Sequence, residues 1–208
     1  MPSKTQALPE WQQVLTQDTV MAALIQNGKE VIQQPHEDIY LTLLGSIISQ
    51  QLSTKVARVI KDRFLNLFPD QYPKAELVLT QPEESLRAVG LSYQKIGYLR
   101  NVAAFAREGQ LDYQVISGMP DEDLIRHLVQ IKGVGRWTAE MMLMFTLVRP
   151  DVFPVDDLGI QNAMKKQYQL SQTGKSLMAE MTRIAEAWRP YRTLACRYLW
   201  QSLDNMPA

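Results

Sequence analysis

The sequence predicts an all-α fold, and three observations carry that prediction. Apolar residues recur at helical spacing along most of the chain, helix start and stop signals bracket those runs, and the two-residue alternation of a half-buried strand is almost absent. The chain has 208 residues, 46% of them hydrophobic and 21% charged. That is the composition of an ordinary globular protein, long enough to bury a core without cross-links and to form one domain or two small ones.

The elements follow in order. The N-terminal stretch MPSKTQALPEWQQVL has no apolar segment of the secretory type, and nowhere do about eighteen apolar residues run together, so no membrane partner is expected. From residue 38, DIYLTLLGSIISQQLSTKVARVIKDRFLNLF sets Ile39, Leu43, Ile47 and Ile48, then Val56, Val59, Ile60, Phe64 and Leu67, at helical spacing. Between the two runs lies a polar joint, SQQLST, in which Ser53 or Thr54 suits the cap of the second helix. PEESLRAVG reads as a short helix, with Pro82 and two glutamates at its positive end and Gly90 as its stop. SYQKIGYLRNVAAFAREG restarts after Ser92 and ends at Gly109. MPDEDLIRHLVQ opens with Pro120 and three acids, and LGIQNAMKKQY again has helical periodicity. The joints are short, as in compact helical packing, and no repeat or low-complexity segment occurs.

Composition also excludes several chemistries. The only cysteine, Cys196, rules out a disulfide framework, a four-cysteine iron–sulfur cluster and a CxxC zinc site. His36 and His127 are far apart, so no transition metal is assigned. A soluble chain in a reducing, intracellular compartment is expected. Net charge is zero and the pI about 6.7, so bulk charge announces no nucleic-acid partner. Residues 1–38 hold two lysines against five acids, and the rest 20 basic against 17 acidic residues, a bias that ordinary solvated helix faces also produce.

Residues 128–145, LVQIKGVGRWTAEMMLMF, break a helix and restart it within a few residues. Gly133 and Gly135 can adopt positive φ, so the chain can turn after Ile131 and begin again near Arg136. Such a turn points the N–H groups of residues 134 to 137 outward at the positive end of a helix, with no Cβ at either glycine to keep an anion away. Lys132 and Arg136 add charge on either side, and Thr138 lies in the same first turn. A Gly-rich turn between helices with no ligand would share these glycines. The apolar spacing Leu128, Ile131, Val134, Ala139 narrows the reading to a helix-hairpin-helix that binds phosphate whatever the base sequence.

A second constellation is the acid pair Asp156-Asp157, after Phe153-Pro154 and before a helical stretch. Asp156 is the natural cap, with Asp157 near the positive end of the helix, where negative charge is stabilised. A carboxylate fixed there can stabilise positive charge developing on a substrate, or orient the water that captures it. Caps alone would account for both acids, and for an Asp-Asp pair at a helix start they are the commoner outcome.

LVQIKGVGRWTAEMMLMF, followed by DVFPVDDLGI, resembles the helix-hairpin-helix and Gly/Pro-Asp signature of the DNA base-excision glycosylase superfamily. With AWRPYRTLACRYLW, it is similar to the 3-methyladenine DNA glycosylase II (AlkA-type) branch, over about residues 38 to 203. The resemblance is to a minimal form without the N-terminal β domain of some relatives. It implies two helical lobes, residues 39–148 ending in the hairpin and residues 1–38 plus 149–208, with the active-site cleft between them. It implies Asp157 as the catalytic acid, with Asp156 left structural. Bifunctional members have a lysine where this chain has Trp137, so the resemblance implies a monofunctional enzyme that leaves an abasic site. Trp137 would stack on an electron-poor alkylated purine, worth roughly 1 kcal/mol or more by cation–π attraction. Trp200 would be a second wall of the base pocket, and Trp188 core. Where AlkA-type relatives often have tyrosines, this chain has Leu158 and Met141, which implies a greasier, more adaptable pocket.

Such an enzyme extrudes its base and must fill the gap. By position Gln51 matches the plug, Leu52 is its neighbouring candidate, and Gln50 is expected to bond backbone. The hairpin of relatives binds a monovalent cation through carbonyls, here those of Val129, Ile131 and Val134, so a structural K⁺ or Na⁺ is an expectation; no other cofactor is required. The implied partner is double-stranded DNA carrying alkylated bases, scanned by a monomer through salt-sensitive phosphate contacts. Other readings are a glycosylase for mismatched or oxidised bases, a non-catalytic damaged-DNA-binding module, and an α-helical protein-interaction domain whose hairpin is fortuitous. The neutral pI favours the last of these.

Overall fold

The computed structural model describes residues 8–31 and 38–203, and among them every regular element is a helix. His36 lies outside the described residues. In chain order the helices are α1 (Glu10–Leu15), α2 (Thr19–Asn27), α3 (Ile39–Ser49), α4 (Thr54–Leu65), α5 (Ala75–Thr80), α6 (Glu83–Ala88) and α7 (Tyr93–Arg107). Then come α8 (Tyr113–Ser117), α9 (Asp121–Leu128), α10 (Arg136–Met141), α11 (Leu158–Gln167), α12 (Gly174–Ala185) and α13 (Arg192–Gln201). The chain divides into two compact units, residues 34–148 and residues 1–33 with 149–208. None of the helices is long and apolar enough to cross a membrane.

The unit of residues 34–148 is built on α3. Its apolar residues form one broad face: Ile39, Leu43, Leu44, Ile47 and Ile48 are all buried, against α4, α7 and the chain after α10, while Thr42, Gly45, Ser46 and Ser49 lie on the other side. A face about half the girth wide lets one helix pack against several neighbours at once. Asp38 starts it, accepting the Leu41 N–H at 2.7 Å. Of the two capping candidates for α4, Ser53 is the cap, accepting the Val56 N–H at 3.4 Å, and Thr54 is the first helical residue. Ser92 caps α7 by accepting the Lys95 N–H, and Gly90 and Gly109 take positive φ where their helices stop. After α10 the chain continues as a π-helical turn, Met142–Thr146, whose Met142, Leu143, Met144 and Thr146 are buried. Apolar periodicity does not register such a turn, because four of its five residues face core and Phe145 alone is half-buried.

The other unit joins α1 and α2 to α11, α12 and α13. Asp18 is its tie point. One carboxylate oxygen caps α2 through the N–H groups of Val20 and Met21, and the other accepts the Tyr168 hydroxyl at 2.8 Å and the Trp188 indole N–H at 3.0 Å. Trp188 is fully buried, as expected of a core residue. Burial and the contact with Asp18 push the Tyr168 hydroxyl far above the ordinary tyrosine range.

Candidate functional site

The chemistry-bearing residues fall into three places: the hairpin between α9 and α10, the turn between α3 and α4, and the start of α11. The hairpin is locked as its spacing requires, since Leu128, Ile131, Val134, Thr138 and Ala139 are all buried. Its two glycines have different tasks. Gly133 has φ 108°, and a Cβ there would lie 2.3 Å from the Tyr98 ring, so its bareness serves a turn and a packing contact. Gly135 does not take positive φ. It is the extended N-cap of α10 (φ −91°, ψ 171°), and open space surrounds the position of its missing side chain.

The phosphate-facing set predicted at this turn is corrected in several places. Val134 is buried, and its N–H is spent on the Ile131 carbonyl at 2.9 Å. The Thr138 side chain is buried too. Arg136 does not project freely: its guanidinium forks onto both carboxylate oxygens of Glu122 and donates through Nε to Glu140 at 3.0 Å. The hydrogen bonds to Glu122 raise the Arg136 value and hold Glu122 below the ordinary glutamate range. Arg136 therefore clamps α9 to α10. Lys132 is exposed, with its carbonyl held by Asn101 Nδ2 at 3.1 Å, and Gly135 is exposed beside it. Trp137 is 45% exposed on the first turn of α10, whereas Met141, one turn on, is 6% exposed.

The α3–α4 turn is fastened to this hairpin. Gln50 Nε2 donates to the Gly133 carbonyl at 3.2 Å, in keeping with its expected backbone role. Lys95, from α7, donates through Nζ to the carbonyls of Ile48 at 2.7 Å and Gln50 at 2.8 Å, capping the end of α3. Desolvation lowers the Lys95 ammonium below the ordinary lysine value. Between these anchors Gln51 is exposed with φ 59°, a left-handed conformation that costs a non-glycine residue about 1–2 kcal/mol. Leu52 beside it is half-buried. Sequence reading missed Lys95, Asn101 and Tyr98, since nothing in an amphipathic pattern marks a side chain that binds distant carbonyls or fills a glycine.

At the start of α11 the roles of the two acids differ from expectation. Asp157, not Asp156, is the N-cap: it has extended φ/ψ (−68°, 122°), and its Oδ1 accepts the Ile160 N–H at 2.7 Å. The reason is that the helix begins at Leu158, one residue later than a cap at Asp156 requires, after a turn closed by the Asp157 N–H on the Pro154 carbonyl. Asp156 is exposed, and Asp157 is 8% exposed. The same Oδ1 accepts the Trp200 indole N–H at 2.9 Å. Trp200 is only 1% exposed, so the structure makes it the partner of the carboxylate rather than an open wall for a base. Leu158, in contrast, is 70% exposed.

The chain leading to Asp157 is stitched to α13, the helix that carries Trp200. Arg192 donates to Asp151 at 2.6 and 3.0 Å and to its carbonyl at 2.9 Å. Thr193 donates to the Arg149 carbonyl at 2.6 Å and accepts the Val152 N–H at 3.0 Å. Both arms of the Asp157–Trp200 hydrogen bond thus rest on one frame. No group of three or more His, Cys, Asp or Glu side chains able to hold a metal occurs among the described residues.

A model of the family described as "HhH-GPD superfamily base excision DNA repair protein" matches residues 44–190. DNA-3-methyladenine glycosylase 1 of Schizosaccharomyces pombe is 33% identical over 184 residues, which cover 88% of this chain and 80% of that protein. A Bacillus subtilis protein provisionally named a DNA-3-methyladenine glycosylase is 35% identical over 80% of this chain, and the chain spans 59% of its length. Among solved structures, the Schizosaccharomyces pombe 3-methyladenine DNA glycosylase in complex with abasic DNA is similar with a TM-score of 0.82 at 31% identity, covering 94% of this chain and 97% of that one.

Proposed function

Because the chain belongs to the HhH-GPD superfamily of base excision DNA repair proteins, we propose that it is a monofunctional DNA glycosylase that extrudes 3-methyladenine and related alkylated purines from duplex DNA and hydrolyses their N-glycosidic bond. The further candidate substrates are 7-methylguanine, hypoxanthine and ethenoadenine. The observation that carries the reading is Asp157, a nearly buried carboxylate held by the Ile160 and Trp200 N–H groups. As the bond from C1′ to the base nitrogen breaks, its electron pair leaves with the base, and positive charge develops on the sugar. A fixed carboxylate stabilises that charge, and water adds at C1′ to leave an abasic site and release a proton.

Trp137 stands where a strand-cleaving member has its lysine, and its exposed ring suits stacking on a cationic purine. An alkylated base is already an activated leaving group, so the site has no need of a strong acid. Lys132 and the open Gly135 take DNA phosphate, and Gln51, with Leu52 beside it, fills the gap the base leaves. The hairpin carbonyls of Val129, Ile131 and Val134 would hold K⁺ or Na⁺. They are neutral oxygens with no carboxylate among them, a donor set that suits a monovalent ion better than a divalent one.

The test is release of free base from duplexes containing 3-methyladenine, 7-methylguanine or hypoxanthine, with and without alkali. Wild type is expected to release 3-methyladenine and to give strand breaks only after alkali, and Asp157→Asn to release it roughly 100-fold more slowly or worse. Binding of these duplexes with no base release from any of them would overturn the enzyme reading in favour of a damaged-DNA-binding module.

A further inference from the structure

The start of α11 contains more than the acid. Three residues meet there: Asp157, Gly159 and Trp200. The Asp157 Oδ1 takes two N–H donors, from Ile160 at 2.7 Å and from Trp200 Nε1 at 2.9 Å. Two donors on one oxygen set the torsion of the carboxylate as well as its place, since rotation would break both bonds together. Gly159 makes the second donor possible. A Cβ at Gly159 would lie 2.9 Å from Trp200 Nε1 and 3.0 Å from Asp157 Oδ1, directly against the hydrogen bond. Nothing about the backbone asks for glycine there: it lies in the first turn of a regular helix, without positive φ, where alanine is the better helix former. A glycine that costs helix stability and leaves room for a single hydrogen bond points to that bond's importance.

We propose that Trp200 is a positioning residue for Asp157, aiming the carboxylate through its indole N–H, and that Gly159 is the gap through which the indole reaches it. This rests on the reading of Asp157 as the acid of a glycosylase. It gives Trp200 a task other than walling a base pocket: the side chain is buried to 1% and its one polar atom is committed to the acid. The indole is fixed in turn by α13, whose first residues are bound to the Arg149–Val152 segment.

The test uses the full chain and measures single-turnover release of 3-methyladenine under saturating enzyme, with affinity for an abasic-site duplex measured separately. Trp200→Phe keeps an aromatic ring but loses the donor. Gly159→Ala keeps the donor and drives the pair apart, and its alanine favours the helix, so it serves where Trp200→Phe fails to fold. Each is expected to slow base release roughly 10- to 100-fold, as for loss of one hydrogen bond to a charged group, with duplex affinity unchanged. In an Asp157→Asn background Trp200→Phe is expected to slow release no further. The indole ¹H–¹⁵N resonance of Trp200 is expected to move in Asp157→Asn and in Gly159→Ala.

Release at the wild-type rate by either folded variant would overturn the proposal. So would an equal slowing in the Asp157→Asn background, which would mean that Trp200 acts by packing alone. Failure of wild type to release any base would instead sink the glycosylase reading, and this proposal with it.

Discussion

Lys132 and Arg136 flank the same two glycines in the sequence, yet the structure gives them opposite tasks. Lys132 is exposed at the turn, while Arg136 is occupied by Glu122 and Glu140. If the hairpin binds phosphate, Lys132→Ala reduces the salt dependence of DNA affinity by about one counterion, a change of about 0.9 in the slope of log K against log salt. Arg136→Gln leaves that slope unchanged and lowers the melting temperature, a contrast that salt titrations and thermal scans on the two variants would measure. The difference was not legible in the sequence, because a cation beside a Gly-rich turn looks the same whether its partner is a phosphate or a glutamate fourteen residues earlier. The acid pair taught the same lesson. The sequence placed a carboxylate at a helix start, but which of Asp156 and Asp157 caps it depends on a one-residue shift, below the precision with which helix ends can be read.

At the scale of elements, helices were most legible where they are long and bracketed. The joint between α3 and α4, the Ser92 start of α7 and the restart at Arg136 follow from periodicity and capping chemistry. Short helices such as α5 and α8 escape, with six and five residues, whereas α6, also of six, is read through Pro82, its two glutamates and Gly90 rather than through periodicity. The fastening of one element to another was not visible at all: Lys95 bridging α7 to the end of α3, and Gln50 bridging that end to the hairpin, depend on tertiary proximity. These bonds hold Gln51 at φ 59°. Gln51→Gly is therefore expected to lose little stability, or to gain up to about 1 kcal/mol, because relief of strain outweighs the added freedom of the unfolded chain. If Gln51 is the plug, the same variant releases base more slowly, so denaturant titration and excision assays should move in different directions. Lys95→Met is expected to slow excision with Asp157 untouched, since its two carbonyls lose their donor and the turn loosens. The α9–α10 clamp also sets a pH dependence. Arg136 holds Glu122 below the ordinary glutamate value of 4.5, so its contribution is complete above that pH and is lost as the pH falls through the lower folded value. Glu122 is largely exposed, so the contribution is small. The melting-temperature gap between wild type and Arg136→Gln should be widest near neutral pH and close in acid.

Across the whole molecule, the chain must return near its end to complete a unit that it began at its start, since residues 1–33 and 149–208 form one unit and residues 34–148 the other. Joining segments so far apart costs closure entropy, which grows only slowly with the length of the intervening chain but still has to be offset by contacts between them. Asp18 concentrates such contacts. It caps α2 with one oxygen and receives Tyr168 and Trp188, 150 and 170 residues later, with the other. Asp18→Ala removes a helix cap, worth about 1 kcal/mol, and leaves a buried indole N–H and a largely buried hydroxyl unpaired, at about 1–3 kcal/mol each where water cannot enter. The expected loss is about 3 kcal/mol or more. Tyr168→Phe deletes one of these partners while leaving the cap and the Trp188 bond in place, so it should cost about 1 kcal/mol. Denaturant unfolding of the two variants would measure the difference. A loss on Asp18→Ala no larger than the cap alone would show that the long-range bonds add nothing, and that apolar packing of α2 against α13 is what closes the unit. A loss well beyond the cap places the closure on one carboxylate, and the same variant should then disturb α13 and the Trp200 indole resonance at its far end.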